Sequence, residues 1–155
     1  MDLSDILTEE SVFYFTGIAN KDDLIARLAA EAAKLLQRDR EAIVETLANR
    51  EALGSTGLGN GIAIPHGKLP GLTRVAAIFA RLETPVEFDA VDDQPVDLVM
   101  MLLAPTGAGA DHLKALSRVA RLLRTEPIVD DLRRAEDPAK FYAILTAPVA
   151  SHKAA

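Results

Sequence analysis

The stretch Val96–Leu103, Val-Asp-Leu-Val-Met-Met-Leu-Leu, constrains the fold of this chain more than any other part of it. After Asp97 no polar side chain follows until beyond Pro105. Successive side chains of a strand point to opposite faces, so a run without polar alternation has to be covered on both. The run is also far shorter than the roughly 20 residues that a membrane-spanning helix needs. Val96–Leu103 therefore reads as an interior strand of a sheet with a helical layer on each side.

The rest of the chain supplies both components. Ser11–Thr16, Ile62–Ile64 and Arg74–Leu82 have the apolar, β-branched or aromatic content of strands, and Val86–Phe88 reads as a further short one. Asn20 and Asp39 are helix caps. Leu24, Ile25, Leu28, Ala29, Ala32, Leu35 and Leu36 follow the first at helical spacing, and Ile43, Val44, Leu47 and Ala48 follow the second. The short link around Arg38 makes these two helices an antiparallel hairpin. Further helices are expected from Asp111, from Thr125-Glu126-Pro127 and from Asp137-Pro138 to Leu145. Strands mixed with helices throughout give an α/β/α sandwich around one central sheet.

With 155 residues, 49% of them apolar and 26% charged, the chain reads as one domain, residues 1–155, with a core over about 3–146. Residues 150–155 are expected to form a tail that includes His152. There are 17 basic and 23 acidic residues, and a net charge of −6 is a poor match to nucleic acid or an anionic membrane. Cys is absent, which removes thiol chemistry, disulfides and Cys-based zinc sites. The acidic N-terminus has no secretory pattern, so a cytoplasmic location without membrane insertion is expected.

Six of the nine glycines fall between Gly54 and Gly71. At that density residues 54–61, Gly-Ser-Thr-Gly-Leu-Gly-Asn-Gly, are expected to be irregular. A phosphate-binding P-loop ending at Gly67-Lys68 would need Gly at 62 and Ser or Thr at 69, but these are Ile62 and Leu69. A dinucleotide fingerprint starting at Gly57-x-Gly59 fails at Ile62 as well. What remains is His66 between Pro65 and Gly67, a setting that presents the ring rather than burying it. A presented imidazole is a competent nucleophile near neutral pH.

Candidate helpers are the hydroxyls of Ser55 and Thr56, the guanidinium of Arg50 and the ring of His112, the last in the first turn of its helix, where unpaired N–H groups favour an anion. Together they could hold a phosphoryl group on fixed donors. Spacing alone leaves open a surface ion pair for Arg50 and a plain helix-start role for His112. No metal site is expected, because His66 and His112 lack the H-E-x-x-H spacing or any thiol partner.

Residues 54–68, Gly-Ser-Thr-Gly-Leu-Gly-Asn-Gly-Ile-Ala-Ile-Pro-His-Gly-Lys, resemble the phosphorylation-site signature of the mannitol–fructose type of enzyme IIA in the bacterial phosphotransferase system. Glu87–Leu98 and His112-Leu113-x-x-Leu116-Ser117 look like two further segments of that family, so the similarity runs from about residue 3 to 146. The His66-Gly67-Lys68-Leu69-Pro70 continuation is most similar to its nitrogen-related branch. The resemblance implies a mixed sheet between helices and a phosphocarrier without cofactor. His66 would take a phosphoryl group from an HPr-like protein (NPr in that branch), itself charged by enzyme I from phosphoenolpyruvate. His112 and Arg50 would line the site, with Ser55 and Thr56 beside them. An apolar rim of Leu58, Ile62 and Leu69 is expected as the docking face. Regulation of target proteins such as kinases or transporters is the first functional expectation, since no IIB, IIC or HPr segment is fused to the chain. A sugar-uptake subunit passing phosphate to a IIB protein is the alternative.

Overall fold

The computed structural model describes residues 2–147, so the expected tail and His152 lie outside the described residues. Two single turns of 3-10 helix, Leu3–Asp5 and Glu9–Ser11, precede β1 (Val12–Phe15). The helical hairpin follows as α1 (Lys21–Leu36) and α2 (Arg40–Ala52). The Asn20 side chain accepts the Asp23 N–H and the Asp39 side chain accepts the Ala42 N–H, each satisfying a donor that the helix leaves unpaired. Then come β2 (Gly57–Gly59), β3 (Ile62–Ala63), β4 (His66–Lys68), β5 (Ala76–Val86), β6 (Val96–Ala104), α3 (Gly109–Leu122), α4 (Glu126–Arg134) and α5 (Pro138–Thr146).

The strands form one sheet in the order β1-β5-β6-β3-β2, with β4 continuing along β6 where β3 ends. β5 runs antiparallel to β6, while β1 is parallel to β5 and β3 and β4 are parallel to β6. The sheet is thus mixed and carries a helical layer on each face. β6 is buried on both sides as its composition requires. Leu98, Met100, Leu102 and Ala104 join a core with Ala115, Val119, Leu132 and Phe141 of α3, α4 and α5. Val99, Met101 and Leu103 join a second core with Leu24, Leu28, Ile43 and Leu47 of α1 and α2.

Three expectations are corrected. Gly57–Gly59 is a strand, paired antiparallel with β3 around Asn60-Gly61. Both turn residues have positive φ (56° and 80°), the conformation that two-residue hairpins demand and that Asn-Gly tolerates. No separate strand covers Val86–Phe88, because Val86 closes β5 opposite Val96 after a shift of register, and Phe88 lies beyond it, fully buried. His66 opens a strand rather than following one.

Candidate functional site

β4 owes its existence to tertiary pairing, since three residues His-Gly-Lys have no strand propensity of their own. Pro65 ends β3, and its carbonyl accepts the Leu102 N–H at 2.9 Å, which carries the chain along β6 into the register His66↔Leu102 and Lys68↔Ala104. Leu102 and Ala104 face α3, so His66 is directed toward α3 as well. There its ring meets that of His112, centroid to centroid at 5.5 Å and tilted by 52°.

The two imidazoles have different environments. His66 is half-buried, and its Nδ1 lies 2.8 Å from the carbonyl oxygen of Ile64. A carbonyl can only accept, so Nδ1 carries a proton, and whenever the ring is neutral the lone pair is on Nε2. His112 is 8% exposed, and its Nδ1 is enclosed with no hydrogen-bond partner among the described residues. Loss of solvent, and after it the charges of His66 and Lys68, hold the His112 pKa below the ordinary histidine range. His112 is therefore neutral near pH 7. The expectation that a helix opening at Asp111 leaves the His112 backbone N–H unpaired is corrected. α3 starts at Gly109, and the His112 N–H donates to the Ala108 carbonyl at 2.8 Å.

The remaining predicted residues shape the loop that leads to His66. Arg50, in the last turn of α2, donates from Nη1 to the Gly54 carbonyl at 2.8 Å. Ser55 Oγ donates to the Phe88 carbonyl at 2.7 Å and accepts the Gly57 N–H at 3.0 Å. Thr56 is 4% exposed; its hydroxyl donates to Glu51, which also accepts the Thr56 N–H at 3.1 Å and pairs with Lys21 at 3.0 Å. The Lys21 ammonium in turn lies 4.5 Å above the Phe88 ring. Ser55 and Thr56 are thus committed to holding the loop. Lys21 and Glu51, which no sequence motif singles out, form the largely shielded end of this network. Their signal was faint: Glu51 stands five residues before Thr56, but nothing in spacing points from Glu51 to Lys21.

The expected apolar rim is corrected. Ile62 is 5% exposed and Leu69 4%, and they belong to the cores on opposite sides of the sheet. Only Leu58, at 40%, presents its side chain. A glycine-rich loop suggested exposure, but strand alternation turns Ile62 inward, and the Leu69 N–H bonded to Ala104 at 2.8 Å ties that residue to the sheet.

Residues 5–147 match the sequence profile of the phosphoenolpyruvate-dependent sugar phosphotransferase system, EIIA 2. The chain belongs to the EIIA type-2 family. It is 46% identical to the nitrogen regulatory protein of Bradyrhizobium diazoefficiens over 97% of this chain and 99% of that one. It is 41% identical to the Escherichia coli nitrogen regulatory protein, covering 94% and 90%. The crystal structure of nitrogen regulatory protein IIA-Ntr from Neisseria meningitidis superposes with a TM-score of 0.87 at 33% identity, covering 93% of this chain and 99% of that one. Membership makes the chain a phosphoryl-transfer component of the phosphotransferase system, and the relatives place it on the nitrogen-related side of the EIIA type-2 family rather than the sugar-uptake side. No helix among the described residues is long and apolar enough to cross a membrane.

Proposed function

We propose that this EIIA domain is a phosphohistidine carrier that accepts a phosphoryl group on His66 Nε2 from an HPr-like protein and regulates partner proteins according to its phosphorylation state. The single observation that carries this reading is the Ile64 carbonyl on His66 Nδ1, which leaves Nε2 as the nucleophile beside His112. The attacking ring is oriented before the donor arrives, which removes part of the entropic cost of an in-line encounter. Neutral His112 has an N–H to offer a phosphoryl oxygen and does not compete for the lone pair as a cation would. Arg50 and the Ser55 and Thr56 hydroxyls support the geometry by fixing the loop. Enzyme I and phosphoenolpyruvate charge the donor, and targets such as kinases or transporters read the result. The nitrogen regulatory relatives favour this reading over passage of phosphate to a IIB protein in sugar uptake.

The test is incubation with enzyme I, the HPr-like donor and labelled phosphoenolpyruvate. Wild type should acquire one acid-labile, base-stable phosphate, and His66→Ala none. Full labelling of His66→Ala would overturn the assignment.

A further inference from the structure

Lys68 lies two residues beyond His66 on the same short strand, so the two side chains share one face of β4. The residue between them fixes which face that is. A Cβ added to Gly67 would collide with the Thr46 side chain of α2, so position 67 points to the α1–α2 layer. His66 and Lys68 point the other way, opposite Leu102 and Ala104 of β6, which pack toward α3. Lys68 is exposed and has no ion-pair partner among the described residues. It is close enough to His112 for its charge to act on that ring. Arg50, the other cation and the one expected at the site, donates from Nη1 alone to the Gly54 carbonyl.

From this juxtaposition we infer that Lys68 is the counter-charge of the transferring phosphoryl group, a catalytic residue whose ammonium binds the phosphoryl oxygens while His66 Nε2 attacks. The inference rests on the carrier reading above. In the step, the Nε2–P bond forms as the donor N–P bond breaks, and the electron pair of that bond returns to the donor ring. Protons balance when each ring carries one on its second nitrogen throughout, and on His66 that proton is the one held by Ile64. No proton needs to move on His66, so the site has no use for a general base; what it requires is positive charge against three phosphoryl oxygens. A lysine supplies that as a mobile point charge, free to follow the group from donor to acceptor.

The experiment compares wild type, Lys68→Gln and Lys68→Arg, each with the HPr-like donor and with phosphoramidate as a small donor that needs no docking surface. With both donors Lys68→Gln should phosphorylate about tenfold more slowly, the low end of what a hydrogen bond to a charged group contributes. Lys68→Arg should stay within about threefold of wild type by the same reasoning. Urea midpoints should be unchanged for both, because the side chain is exposed. Lys68→Gln at the wild-type rate with both donors would overturn the inference. So would a defect confined to the protein donor, which would make Lys68 a docking residue. If wild type itself carried no phosphate, or His66→Ala were labelled, the carrier reading would fail instead.

Discussion

At the scale of single residues, the site depends on which nitrogen keeps a lone pair and which ring stays neutral. His112 supplies a consequence that can be measured in the unphosphorylated protein. Burial lowers its pKa, so the unfolded chain takes up a proton at this position before the folded one does. The stability this group contributes is complete above the unfolded value of about 6.5 and is lost as pH falls from there toward the lower folded value. His112→Gln, which cannot be protonated, should flatten the fall of unfolding free energy with pH in that window, as read from urea denaturation at a series of pH values. Superposable pH profiles for wild type and His112→Gln would mean that the folded state protonates this ring as readily as the unfolded one. The charge of Lys68 contributes to the same depression, so Lys68→Gln should raise the His112 titration midpoint seen by NMR, and an unmoved midpoint would separate the two groups.

At the scale of elements, what could be read in advance divides by the origin of the order. The helices were legible because caps and apolar spacing are local: Asn20, Asp39 and Asp137 stand where they were expected and each side chain accepts a backbone N–H. β6 was legible because seven successive apolar residues admit no other reading in a short run. The β2–β3 hairpin is hard to read although its signal is local too, since the two-residue turn Asn60-Gly61 lies in a segment whose other glycines argue against a strand. β4 could not be read at all, because its three residues become a strand only when β6 is alongside. His66, Arg50 and His112 were legible as candidates. Their arrangement was not, because the contact of His66 with Ile64 and the engagement of Arg50 with Gly54 depend on how the loop closes. β4 also carries a prediction of its own. Gly67 has an ordinary φ, so an alanine there is opposed by Thr46 alone. Gly67→Ala should cost about 1–3 kcal/mol, the usual penalty of overpacking. Thr46→Ser removes the offending methyl, so the double variant should be more stable than Gly67→Ala alone. Additive losses in urea unfolding would place the strain elsewhere.

At the scale of the whole molecule, the sheet separates two cores that share no side chains but do share the strands β1, β3, β5 and β6. β6 sends alternate residues into each, so neither core can be lost while the other keeps its wall. The proposed site spans the same division: α2 backs Gly67 from one side, and α3 brings His112 from the other. A site built across both layers needs them to unfold together, because an independent opening of either would dismantle the His66–His112 pair. The expectation is one cooperative transition. Tyr14 and Tyr142, the two tyrosines of the chain, both pack against the α3–α5 core and there is no Trp, so tyrosine fluorescence reports that side. Circular dichroism reports the helices of both layers. Leu47, fully buried in the α1–α2 core, is on the far side of the sheet from either tyrosine. Leu47→Ala should cost about 2–5 kcal/mol, a large part of the roughly 5–15 kcal/mol that holds a domain folded. If the sheet couples the cores, the substitution lowers the urea midpoint seen by tyrosine fluorescence as much as that seen by circular dichroism. A tyrosine midpoint that stayed at the wild-type value while the helical signal shifted would show two separable units, with a His66–His112 pair that opens before the molecule unfolds.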